Sequence, residues 1–152
     1  MGEGAHVIYL VHHADAVGPE VEPQRPLSLS GRTHAESLAQ QAAVKGVKPV
    51  AIWHSGKLRA RQTAEPFLRL CNPLADFAAI RGLQPTDPPT SIVDLLHSEE
   101  RDVMLVGHMP NLPRLFTMLV KGDESVLLPF PLHGMIALER AGERWREVWR
   151  VD

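Results

Sequence analysis

Three short apolar runs, each passing directly into chemistry-bearing residues, constrain this chain more than any other feature. Val7-Ile8-Tyr9-Leu10-Val11 leads into His12-His13-Ala14-Asp15, Val50-Ala51-Ile52-Trp53 into His54-Ser55-Gly56, and Val103-Met104-Leu105-Val106 into Gly107-His108. Short continuous apolar runs bounded by turn residues read as strands buried on both faces. Helical patterns lie between them. Ser28 or Ser30 can cap a helix whose apolar positions are Ala35, Leu38, Ala39 and Ala42. Ala60, Ala64, Phe67 and Leu68 form the face of a second helix, which Asn72-Pro73 ends. A short strand and loop are expected over 74–90, then a helix over about 91–98. After the Val103 run, Pro110 suits the first turn of a helix with Leu112, Leu115, Phe116 and Leu119 on its buried face. Gly134 to Leu138 and Glu147 to Val151 read as two strands joined by the Ala141-Gly142 turn, with Trp145 and Trp149 on one sheet face.

Strands alternating with helices predict an α/β fold: a three-layer sandwich with a mostly parallel central sheet and helices on both faces. The chain of 152 residues, 44% hydrophobic and 22% charged, reads as a single domain over 1–152. A net charge of −2 gives no reason to expect nucleic acid or an anionic membrane as partner. No apolar stretch nears the ~20 residues of a membrane span, and no signal-type segment opens the sequence. The lone Cys71 fits a reducing compartment, so a cytoplasmic location is expected.

Parallel strands present their carboxyl ends at one edge, where open α/β sheets bind ligands. Side by side, the first and Val103 strands would bring His13 and His108 to that edge. The segment Ser55 to Ala64 follows the second strand and belongs there too. Arg59 falls near the start of its helix, where a guanidinium fork and free N–H groups favour a phosphate.

These pieces resemble the histidine phosphatase superfamily, whose fold is called phosphoglycerate mutase-like, and among its branches the small SixA-like phosphohistidine phosphatases. Val11-His12-His13-Ala14 stands where the family has its Arg-His-Gly or Arg-His-Ala signature. Arg25-Pro26-Leu27-Ser28 is similar to the segment opening the family's first helix. Ser55 with Leu58-Arg59-Ala60-Arg61-Gln62-Thr63-Ala64 matches its second arginine motif, and Val106-Gly107-His108-Met109-Pro110 its late histidine motif. The resemblance implies a phosphatase that works without a metal or other cofactor, on a phosphorylated protein or a small phosphorylated substrate. It makes His13 the nucleophile and carrier of a phosphohistidine intermediate. Arg59 and His108 become catalytic phosphate ligands, with His12 and Ser55 as further phosphate contacts and Arg25 at the entrance.

Two departures from the family pattern bear on activity. His12 replaces the first arginine, so the chain is expected to be slow, to favour mildly acidic pH where His12 is charged, or to bind phosphoproteins with little turnover. On this reading His12→Arg raises the rate. Second, Arg81-Gly82-Leu83-Gln84-Pro85 holds no carboxylate where larger relatives keep a proton donor. Asp15 and Asp87 are the substitutes, each equally at home in a turn or cap. Phosphohistidine needs an enzymic acid less than an alkyl phosphate does, because its imidazole leaves well once protonated. About 30 residues before the Val103 strand leave no room for a helical lid, which also favours a protein side chain as substrate.

Other readings of the same residues remain open. His12, His13, Asp15 and His108 include metal-ligand types, but adjacent strand residues face opposite ways unless the turn begins there. His6, His34, His54, His97 and His133 are read as structural or solvated, with His54 and His133 nearest the site.

Overall fold

The computed structural model describes residues 6–152. Ten elements alternate as expected: β1 (Val7–His12), α1 (Leu29–Val44), β2 (Ala51–His54), α2 (Leu58–Cys71), β3 (Asp76–Ala79), α3 (Thr90–Ser98), β4 (Val103–Gly107), α4 (Asn111–Lys121), β5 (Met135–Ala141) and β6 (Arg144–Val151). They form one sheet of order β3-β2-β4-β1-β5-β6. The first four strands in that order run parallel, and the β5–β6 hairpin adds antiparallel to β1.

Alternation along β1 divides the core in two. Ile8 and Leu10 face a layer that includes Ile92 and Leu96 of α3 and Leu112, Leu115 and Leu119 of α4. Tyr9 and Val11 face the opposite layer, with Leu38, Ala39 and Ala42 of α1 and Ala60, Ala64 and Phe67 of α2. Each side chain of a doubly covered strand finds apolar partners, which is why these runs carry no polar residue until they end. Ser28 caps α1, its Oγ accepting from Gly31 N–H at 3.0 Å. At Gly31 a Cβ would lie 2.0 Å from the Asp15 carbonyl oxygen, so only glycine lets α1 approach the loop that follows β1.

The structure corrects two local expectations. Pro110 is the N-cap of α4, just outside the first turn; without an N–H it leaves no donor unsatisfied at either position. Trp145 and Trp149 lie on opposite faces, Trp145 in the α3–α4 layer and Trp149 against the α1–α2 layer. The cause is a β-bulge: Ala137 pairs with Trp149 but Leu138 pairs with Glu147, so Val148 is an extra residue that reverses the alternation. No described helix is long and apolar enough to cross a membrane.

Candidate active site

The first two histidines sit where β1 stops. His12 is the last β1 residue and pairs with Gly107 of β4, and His13 N–H donates to the Gly107 carbonyl at 3.1 Å. Parallel register therefore sets His13 beside His108, with ring centroids 5.0 Å apart. The turn begins at His13, and the His12 and His13 rings come within 4.5 Å instead of pointing apart. Ala14 N–H donates to Thr63 Oγ1 at 2.9 Å, and Thr63 donates in turn to the Arg59 carbonyl. The loop carrying His13 is thus tied to the first turn of α2.

Hydrogen bonding determines the tautomers of His13 and His12. His13 Nδ1 lies 2.7 Å from the Ala14 carbonyl oxygen, which can only accept, so Nδ1 carries the proton and Nε2 a lone pair. Burial lowers the His13 pKa to about 4. The Ala14 hydrogen bond opposes that shift, and Arg59, His133 and Arg25 add to it. The ring is neutral at physiological pH, with its Nε2 lone pair free. His12 is the mirror case. The backbone N–H of His133 donates to His12 Nδ1 at 2.8 Å, so the proton resides on Nε2. Burial, then His13, His133 and Arg59, hold its pKa at about 3.

This geometry overturns the expectation that mild acid charges His12. A second proton would have to enter at Nδ1, where a backbone donor already points. It also changes the expected result for His12→Arg. An arginine has no acceptor for His133 N–H, and an orphaned buried donor costs about 1–3 kcal/mol. We expect a lower unfolding midpoint for this variant, read by thermal melting, against which any gain in rate must be set.

His108 is 1% exposed, and burial with the charges of His13 and Arg59 puts its pKa at about 3. Its Nε2 lies 2.7 Å from Ser55 Oγ. Ser55 Oγ accepts from Lys57 N–H and keeps a hydroxyl proton that it can donate to Nε2, the arrangement that leaves the His108 proton on Nδ1. Gln84 Nε2 donates to the Ser55 carbonyl and steadies this residue from a second side. Arg59, in the first turn of α2, is half-buried. Arg59 Nε and His108 Nδ1 are both buried without a hydrogen-bond partner. Buried polar groups in native structures almost always have partners, so two orphans near His13 mark a place for an acceptor-rich anion.

The remaining expected residues scatter. Arg25 sits in the left-handed region (φ 53°), donates Nε–H to the Val17 carbonyl, and its charge reaches both His13 and Arg59. Asp15 is exposed and accepts from Ser28 Oγ at 2.7 Å, an extension of the α1 cap. Asp87 accepts from Gln84 N–H in a turn. Asp87 lines a cavity of about 550 Å³ together with Ser55, Arg81 and Gln84.

Sequence reasoning set His133 near the site but gave it no role there. His133 stacks on His12, with centroids 4.9 Å apart and planes 3° apart, and its ring lies 6.0 Å from His13. Its Nδ1 is 2.7 Å from the His13 carbonyl oxygen, and His34 Nε2 is 2.8 Å from its own carbonyl. The signal available was its place directly before Gly134, but only the pairing of β5 with β1 turns that position toward His12 and His13. A ring nitrogen from each of His12, His13 and His133 lies within 4.8 Å of the others, a spacing open to a metal ion. His12 does not fit that role, because one nitrogen is protonated and the other already accepts a backbone N–H.

No protein-family model and no curated protein matches the chain. Solved structures do. A protein designated a phosphohistidine phosphatase SixA, from Agrobacterium tumefaciens, is 26% identical with a TM-score of 0.79 over 97% of both chains. A protein histidine phosphatase SixA complexed with tungstate is 19% identical, with a TM-score of 0.83 over 95% of both. A third SixA, from Nakamurella multipartitia, is 20% identical with a TM-score of 0.76 over 98% of this chain and 96% of its own. The chain thus has the phosphoglycerate mutase-like fold of the histidine phosphatase superfamily, with SixA phosphohistidine phosphatases among its structural neighbours over nearly their whole length.

Proposed function

We propose that this protein is a phosphatase that removes phosphate from a phosphorylated side chain, phosphohistidine above others, through a covalent phosphohistidine on His13. The observation that carries the reading is the pair of orphaned buried nitrogens, Arg59 Nε and His108 Nδ1, beside a neutral histidine whose Nε2 lone pair is free. The likeness to SixA proteins, one of them holding the oxyanion tungstate, supports it.

The chemistry follows from the tautomers. His13 Nε2 attacks phosphorus while Arg59 takes non-bridging oxygens with its fork and His108 donates from Nδ1. His12 adds a neutral donor at Nε2. Splitting the displacement into two steps through a nitrogen nucleophile lowers each barrier, and the rest is positioning and charge. Arg59→Ala is expected to lower kcat/KM on a phosphohistidine peptide by about 10²–10³-fold, the usual loss for one preorganised donor. An unchanged kcat/KM would remove Arg59 from the site.

A protein substrate suits the open site. The segment before β4 builds β3 and the short helix α3, which buries Ile92 and Leu96 in the core and so is not a lid. Weak closure excludes water poorly and favours a leaving group that departs readily. The test is inorganic phosphate release from a phosphohistidine peptide between pH 5 and 8, compared with His13→Ala. Release that depends on His13 upholds the phosphatase. A folded chain that binds phosphate without releasing it from the peptide supports a binding protein, a reading favoured by the neutral His12 in place of an arginine.

A further inference from the structure

We propose that His133 is the proton donor to the leaving group and the proton acceptor from water, the role for which Asp15 and Asp87 were the expected carboxylates. The proposal rests on the phosphatase reading above. Asp15 serves the α1 cap and Asp87 a turn, so neither carboxylate is engaged at His13. His133, by contrast, is built into the centre from four sides. Its backbone N–H holds His12 Nδ1, its Nδ1–H holds the His13 carbonyl, its ring stacks on His12, and His34 holds its carbonyl.

It reaches this position only by adopting φ 56°, a left-handed conformation that is unfavourable for a residue with a Cβ. Non-glycine residues held there cluster at functional sites, where the surroundings over-determine them. The hydrogen bond to the His13 carbonyl also settles which nitrogen is free. Nδ1 must carry a proton because a carbonyl only accepts, so Nε2 is the atom that gains and loses the second proton. The rings and backbone groups set against it are those of His12, His13 and His34.

The proton and electron balance closes over two steps. In the first, the His13 Nε2 lone pair forms the P–N bond. The bond from phosphorus to the leaving atom breaks, and that atom takes the bonding pair and the proton from His133 Nε2. In the second, water attacks phosphorus and passes a proton to the now neutral His133 Nε2. The P–N bond breaks, its pair returns to His13 Nε2, and inorganic phosphate leaves with both histidines in their starting states.

The test compares substrates that differ only in how much they need a proton. Asn tolerates the left-handed backbone and keeps the N–H to His12, so His133→Asn is the first variant and His133→Gln the second. Hydrolysis of 2,4-dinitrophenyl phosphate, whose anion leaves unaided, is measured beside phenyl phosphate, whose more basic phenoxide gains from protonation. General acid catalysis is worth about 10²–10⁴-fold. We expect both variants to lose about 100-fold or more in kcat/KM on phenyl phosphate and less than about 5-fold on the dinitrophenyl ester. Both should still form the His13 phosphoenzyme from the latter. Equal losses on both substrates, with thermal melting showing a folded chain, would make His133 a positioning residue and overturn the proposal. A wild-type chain that forms no phosphoenzyme on His13 overturns the phosphatase reading itself, a failure told apart by the wild-type control.

Discussion

His13→Ala is expected to abolish the phosphoenzyme and to lower turnover on a phosphohistidine peptide by roughly 10⁴-fold or more, the scale seen when a nucleophile is deleted. The argument is geometric. His13 Nδ1–H is committed to the Ala14 carbonyl, and His108 Nε2 is committed to Ser55, while His12 Nε2 carries a proton. Among these three rings, only His13 offers an in-plane lone pair with no partner. Alanine leaves the backbone bonds of residue 13 in place, so the fold and the Arg59–His108 oxyanion seat should survive. The variant should therefore still bind inorganic phosphate, read by calorimetry, while intact mass after an alkaline quench shows no phosphoryl adduct. Turnover within tenfold of wild type would show that another group attacks phosphorus.

The second large effect is on stability in acid. His12 and His108 are buried, neutral rings with pKa values of about 3 in the folded chain, against about 6.5 for an exposed histidine. Between those values the unfolded chain binds more protons than the folded one, so stability rises with pH across the window. The contribution is complete above about pH 6.5 and is lost as pH falls toward 3. Each ring contributes about 1.4 kcal/mol per pH unit inside the window. From pH 6.5 to 4.5 the pair should remove roughly 5 kcal/mol, a large share of the 5–15 kcal/mol typical of a domain. Denaturant midpoints across this range check it, and His108→Gln should flatten the slope. A midpoint that stays level between pH 6.5 and 4.5 would show that these rings are not held neutral.

The acid profile of activity follows from the same burial. Loss of rate below pH 5 is expected to track unfolding and protonation of His13 together. No gain in rate from charging His12 should appear, because His133 N–H occupies the nitrogen that would take the proton.

Much of this was legible in the chain before any coordinates. Apolar runs such as Val103 to Val106 could be read as buried strands because a strand covered on both faces cannot hold a polar residue until it ends. The polar residue that follows each run is then placed at the carboxyl edge, which is how His13, Arg59 and His108 could be named together. A serine cap for α1, at Ser28 or Ser30, and Asn72 as the end of α2 followed from the chemistry of free N–H groups and of the residue before proline; the structure uses Ser28.

What local pattern could not supply was pairing at a distance. The bulge opposite Ala137 comes from one extra residue in the partner strand, and it alone sends Trp149 to the other face. The neutrality of His12 comes first from burial, and its tautomer from a backbone donor 121 positions away. His133 enters the site because β5 pairs antiparallel with β1, and nothing in residues 131–134 announces that partner. Periodicity and capping are properties of neighbouring residues, so they determined the elements, the edge and the candidate nucleophile. Protonation states and the presence of His133 beside His12 and His13 depend on which groups burial brings face to face, and only the tertiary structure decided those.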